Sequence, residues 1–80
     1  MTMLDALRTI QANPALWARP VEYRGEQVAY KAQRLDLGER TRVRCIMQGH
    51  VSLSHAAMPT IETMLAEWET VTPDEVNEGR

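Results

Sequence analysis

Glu39-Arg40-Thr41-Arg42-Val43-Arg44-Cys45-Ile46-Met47 alternates charged with small or apolar side chains as far as Cys45. A period of two is the mark of a strand with one buried face. It sets Arg40, Arg42 and Arg44 on one side and Thr41, Val43, Cys45 and Met47 on the other. Upstream, Glu26 to Arg34 alternates as well. Val28, Tyr30 and Ala32 share one face there, and Gln27, Ala29, Lys31 and Gln33 share the opposite one. Leu35-Asp36-Leu37-Gly38 is the expected turn between them. A two- or four-residue connection pairs even positions before it with odd positions after it. Both strands then agree on a core side, and Lys31 and Gln33 join the three arginines on the outer side. A three-residue connection would set Lys31 beside Val43, so it is rejected: a specified register follows the buried face.

The following turn is read as three residues, Gln48-Gly49-His50, which returns Val51 and Leu53 to the core side. A two-residue turn at Gln48-Gly49 would instead gather Ile46, Val51 and Leu53 into an apolar patch on the arginine side, a surface for a dimer or partner.

Working outward, Arg19 to Tyr23 reads as an edge strand, because Pro20 has no N–H to give a central ladder. Arg24-Gly25 is a tight turn. Thr2 and Asp5 form a helix-start pattern, and Met3, Leu4, Ala6, Leu7 and Ile10 recur at helical spacing, so a first helix is expected over 3–12. Asn13-Pro14 ends it. Pro59-Thr60 opens a second helix with proline in its first turn, and Ile61, Met64, Leu65 and Trp68 form its apolar stripe. Thr72-Pro73-Asp74-Glu75 is another helix start followed by only five residues, so residues 73–80 are read as a frayed turn or an acidic tail. The expected architecture is α+β: an N-terminal helix, a three- to four-stranded antiparallel sheet and a C-terminal helix packed on one face, in one domain over residues 1–72.

Eighty residues hold one small core, which buries only about 60–65% of the unfolded surface. Phenylalanine is absent and five methionines stand in for it. Self-association, as a homodimer, is therefore expected. The net charge of -2 hides a segregation. Seven basic residues face four acidic ones between Arg19 and Arg44, whereas from Glu62 onward there are six acidic and one basic. Lys31, Arg40, Arg42 and Arg44 are the candidate partner- or anion-binding row. Glu62, Glu67, Glu69, Asp74 and Glu75 are a candidate acidic contact arm. The competing readings are a solvated sheet face and a solvated tail. Direct nucleic-acid binding is disfavoured by the negative net charge and by the lack of aromatics among the arginines.

Cys45 is the only cysteine, which excludes an intramolecular disulfide, and its apolar-side position reads as a structural thiol. His50 and His55 have no third ligand at metal spacing, so no metal or cofactor is expected. Ser52, Ser54 and His55 match no nucleophile elbow, so a non-enzymatic protein is expected. No apolar run reaches membrane length and no signal peptide is apparent, which points to the cytoplasm.

The opening Thr2-Met3-Leu4-Asp5-Ala6-Leu7-Arg8-Thr9-Ile10 and the closing Thr60-Ile61-Glu62-Thr63-Met64-Leu65-Ala66-Glu67-Trp68-Glu69-Thr70-Val71 resemble the two ends of the Thoeris antagonists, small phage proteins that sequester signalling nucleotides. The aspartate before the tryptophan and the glycine-basic stretch after the first helix, usual in that family, are missing. No ligand-contacting residue is carried over. In size and style the chain is similar to small phage accessory proteins, including anti-CRISPR proteins. That likeness implies stoichiometric inhibition of a host defence complex such as CRISPR-Cas. The alternatives are sequestration of a phosphate-containing nucleotide on the arginine row and a structural role in phage assembly.

Overall fold

The computed structural model describes residues 1–38, 40–49 and 59–80, and of Leu35, Leu37 and residues 40–49 the backbone alone. Helix α1 spans Met3–Ala12. Thr2 caps it in extended geometry, its hydroxyl accepting from the Asp5 N–H at 3.1 Å. Asp5 lies at the positive end of the helix dipole. Asn13 closes the helix, giving its N–H to the Thr9 carbonyl at 2.9 Å, and Pro14 prevents continuation. Ala6 and Ile10 face inward and are buried.

Four strands form one antiparallel sheet: β1 (Trp17–Pro20), β2 (Val28–Leu37), β3 (Arg40–Gly49) and β4 (Trp68–Val71), in the order β3-β2-β1-β4. β2 and β3 pair from Val28↔Gly49 to Leu37↔Arg40, so even positions oppose odd ones. The parity argument therefore gives the right pairing, while the turn is shorter than expected. Leu35, Asp36 and Leu37 continue β2, and the chain reverses after Leu37, where Gly38 takes φ 65°. A glycine in the left-handed region suffices for a tight hairpin turn, so the residues before it are free to extend the ladder. At the far end Gln48 and Gly49 belong to β3, opposite Ala29 and Val28, and are not a turn. His50, Val51 and Leu53 lie outside the described residues, as does the choice between the two readings of that turn.

β1 is an interior strand, not an edge. The physical reason lies in how Pro20 is paired. It opposes Trp68, whose N–H and carbonyl both turn outward to Met1: Trp68 donates to the Met1 carbonyl at 2.8 Å and accepts from the Met1 nitrogen at 3.1 Å. Pro20 and Trp68 are thus a non-hydrogen-bonded pair, and the proline withholds nothing from β4. Its missing N–H falls on the β2 side, where the pairing ends at Ala18↔Tyr30. After Pro20 the chain turns through a short 3-10 segment, Val21–Tyr23, in place of the predicted strand.

The second helix is the largest departure. α2 is only Ile61–Leu65, capped by Thr60, whose hydroxyl accepts from the Thr63 N–H at 3.2 Å, so Pro59 precedes the helix. Ala66 is already extended, and Trp68 opens β4. The apolar stripe is not one face of a helix: Trp68 is buried, while Ile61 and Leu65 are 71% and 82% exposed. Four cross-strand pairs with β1 and the β-branched Thr70 and Val71 favour the extended chain over two more helical turns.

The residues read as a tail after position 72 form helix α3, Pro73–Asn77, packed on the sheet. Thr72 and Glu75 make a reciprocal capping box at 3.2 and 2.8 Å. Such a box satisfies two otherwise orphaned N–H groups, which is how so short a helix is held. Val76 is buried with Ala29 and Val71 against Trp17. The sheet therefore has two covered faces. On the first, Ala6, Ile10, Ala18, Tyr30 and Trp68 pack together, the Tyr30 and Trp68 rings 5.5 Å apart. On the second lies the α3 cluster, which buries Ala29, a residue read as outward-facing.

Candidate functional site

Three charged groups meet at the base of the sheet. Arg19 on β1 opposes Glu69 on β4, and Arg19 Nε donates to Glu69 Oε2 at 2.8 Å. Arg24 reaches the same carboxylate from the turn after β1, with Nη2 2.6 Å from Oε1. Arg19 is 3% exposed, and its Nη1 is buried with no hydrogen-bond partner among the described residues. The hydrogen bond from Arg24 holds the Glu69 carboxyl below its ordinary value, with Arg19 adding to the effect and partial burial opposing it. The same contact raises the Arg24 guanidinium. Both oxygens of Glu69 are committed inside the fold, so this member of the expected acidic arm is a latch between β1 and β4. Glu62, Glu67 and Asp74 are exposed, and Glu75 serves the α3 cap.

The second feature is the β2–β3 hairpin. β1 borders β2 only at Ala18↔Tyr30. From Lys31 to Leu37 and from Arg40 to Ile46 the described sheet is a two-stranded ribbon. At about 3.4 Å per residue its ten-residue strands run about 34 Å, comparable to the 39 Å long dimension of the molecule. The register gathers the predicted row on this ribbon. Arg40, Arg42 and Arg44 oppose Leu37, Leu35 and Gln33, and Lys31 opposes Ile46. Arg34 adds a fifth basic residue, exposed and 3.5 Å from Asp36. Of the expected apolar patch, the Ile46 backbone is placed by this register, and Val51 and Leu53 lie outside the described residues.

The third is the set of large apolar side chains left in solvent among the described residues: Met1 and Leu4 are 47% and 56% exposed, and Ile61 and Leu65 on α2 are 71% and 82% exposed. The Met1 nitrogen is ion-paired with Glu67 and bonded to Trp68, which ties the start of α1 to β4. The Trp68 indole N–H donates to the Thr63 carbonyl at 2.9 Å, and the Thr63 hydroxyl meets Glu22 at 3.4 Å.

Among the described residues no cluster of three His, Cys, Asp or Glu side chains is placed to hold a metal, and no helix is long and apolar enough to cross a membrane. No protein-family model, curated protein or solved structure matches this chain. The sequence did not reveal the Arg19–Glu69–Arg24 cluster, because its geometry needs β4, which the Ile61–Trp68 spacing disguised as helix.

Proposed function

We propose that this chain is a non-enzymatic, phage-type protein of the host cytoplasm that inhibits a bacterial defence complex, such as a CRISPR-Cas effector, by docking on it in fixed stoichiometry. The observation that supports this reading is the ribbon. It carries Lys31, Arg34, Arg40, Arg42 and Arg44 on two paired strands that outrun β1, while the body of the molecule holds the acids from Glu62 onward. Arginine forks on a backbone ladder suit bidentate capture of carboxylates. Apolar Leu35, Leu37, Val43 and Ile46 interleave with them, a mixture that suits a protein surface better than a phosphate backbone.

Capture of purified defence complexes by the immobilised protein tests this. Arg42→Glu is expected to reduce capture at least about tenfold, mostly through a slower, salt-sensitive association. Unchanged capture by Arg40→Glu, Arg42→Glu and Arg44→Glu together refutes docking through the ribbon. The melting temperature is expected to stay constant across a panel of cyclic and linear nucleotides. A saturable rise with any of them favours nucleotide sequestration instead.

A further inference from the structure

Helix α3 is anchored to the second sheet face by one apolar side chain, Val76, which is 1% exposed and packs with Ala29 and Val71 against Trp17. Acids surround the anchor: Asp74 and Glu75 within α3, and Glu78 at its cap. Gln27 adds a hydrogen bond to the end of the helix, Nε2 donating to the Asn77 carbonyl at 2.8 Å. It does so from φ 55°, the left-handed region, where a side chain is strained. Strain at a contact that two segments share is the mark of an element with a second position.

The face that α3 closes is also basic. Lys31 follows Ala29 on the same side of β2, and Arg19 follows Trp17 on the same side of β1. Arg19 is 3% exposed, and its Nη1 has no partner among the described residues. Three acids come to this face with α3, and none of them pairs with that nitrogen. As an occupant of the face α3 is therefore incomplete.

We propose that α3 is an autoinhibitory strap, displaced when the target docks. The occupant that replaces it is an acidic segment of the target. It carries one apolar anchor for Trp17, Ala29 and Val71, as Val76 does, and a carboxylate for Arg19 Nη1, which α3 lacks. Displacement also relieves Gln27. The inference rests on the proposed function, in which the basic ribbon meets a protein target. It adds that the docking face continues past Lys31 under α3, so capture is limited by the fraction of chains whose strap is lifted.

Val76→Ser removes the anchor, and it is expected to raise the lifted fraction, and capture of purified defence complexes with it, about tenfold. A synthetic peptide of residues 72–80 then supplies the strap in trans. With half-saturation at about 1 mM, the order of the effective concentration a short tether gives, it suppresses the extra capture. It also returns the indole N–H resonance of Trp17, shifted in the variant, to its wild-type position. The same peptide carrying Val76→Ser does neither. Thr72→Ala loosens the strap through its cap bond alone, and gives a smaller gain in the same direction even where Val76→Ser does not fold. Capture that falls or stays unchanged in the folded variants overturns the proposal, because a purely structural α3 behaves in that way. So does a Trp17 resonance that the peptide leaves displaced. Wild-type capture with no gain in either variant refutes only this inference, whereas peptide rescue without capture by any variant refutes only the proposed function.

Discussion

Glu69→Gln removes the charge that Arg19 and Arg24 share while keeping the shape of the side chain. Arg19 is 3% exposed, so the substitution strands a buried guanidinium whose Nη1 already lacks a partner among the described residues. Breaking a buried pair from one side costs about 3–5 kcal/mol. The low end, about 3 kcal/mol, applies here, because the Glu69 side chain is 21% exposed and water reaches it. For a chain of this size the whole stability is about 4–12 kcal/mol, so the loss is a large share. Urea denaturation followed by circular dichroism measures it. Arg19→Met in the same chain is expected to recover most of the loss, since no unpaired charge then remains buried. Arg24→Ala leaves the Arg19 bond intact and does less harm. The carboxyl of Glu69 is depressed in the folded state, so its contribution is present above its unfolded value, about 4.3, and fades as pH falls through the lower folded value. The gap between wild type and Glu69→Gln should close in that acid window. A loss below about 1 kcal/mol at neutral pH, or a double variant no more stable than Glu69→Gln alone, refutes the buried-charge argument.

Val76→Ala is expected to cost about 1.5–2 kcal/mol through lost apolar burial, and Thr72→Ala about 1 kcal/mol through the lost cap; chemical denaturation that finds neither effect would return residues 73–80 to a solvated tail. Trp68→Phe removes the indole donor to the Thr63 carbonyl and should cost about 2 kcal/mol, measured with Trp17 as the remaining fluorophore. Gly25→Ala places a side chain at φ 85° with its Cβ 3.7 Å from the Gly79 carbonyl oxygen, and a loss of about 1–2 kcal/mol in thermal melts is expected from backbone strain.

What the sequence disclosed and what it hid follow from the range of the interactions involved. The α1 boundaries were legible because Thr2, Asp5 and Pro14 act within a turn of the helix they delimit. Hairpin parity was legible because two alternating runs have one register that buries a common face, although the turn length inside that parity was not fixed. β4 was hidden. Ile61, Met64, Leu65 and Trp68 stand at helical spacing, and local pattern gives no reason to stop the helix at Leu65. The reason is remote: β1 offers four pairing positions, and Met1 supplies the outer hydrogen bonds of Trp68. Once β4 is a strand, the rest becomes consistent. Glu69 falls opposite Arg19 and turns from contact arm into latch, and Val71 comes to lie beneath Val76, so that α3 acquires a core to cover. Ile61 and Leu65 lose the face they would have buried and remain in solvent, which is why their exposure is a consequence of the strand rather than a separate feature of the sequence.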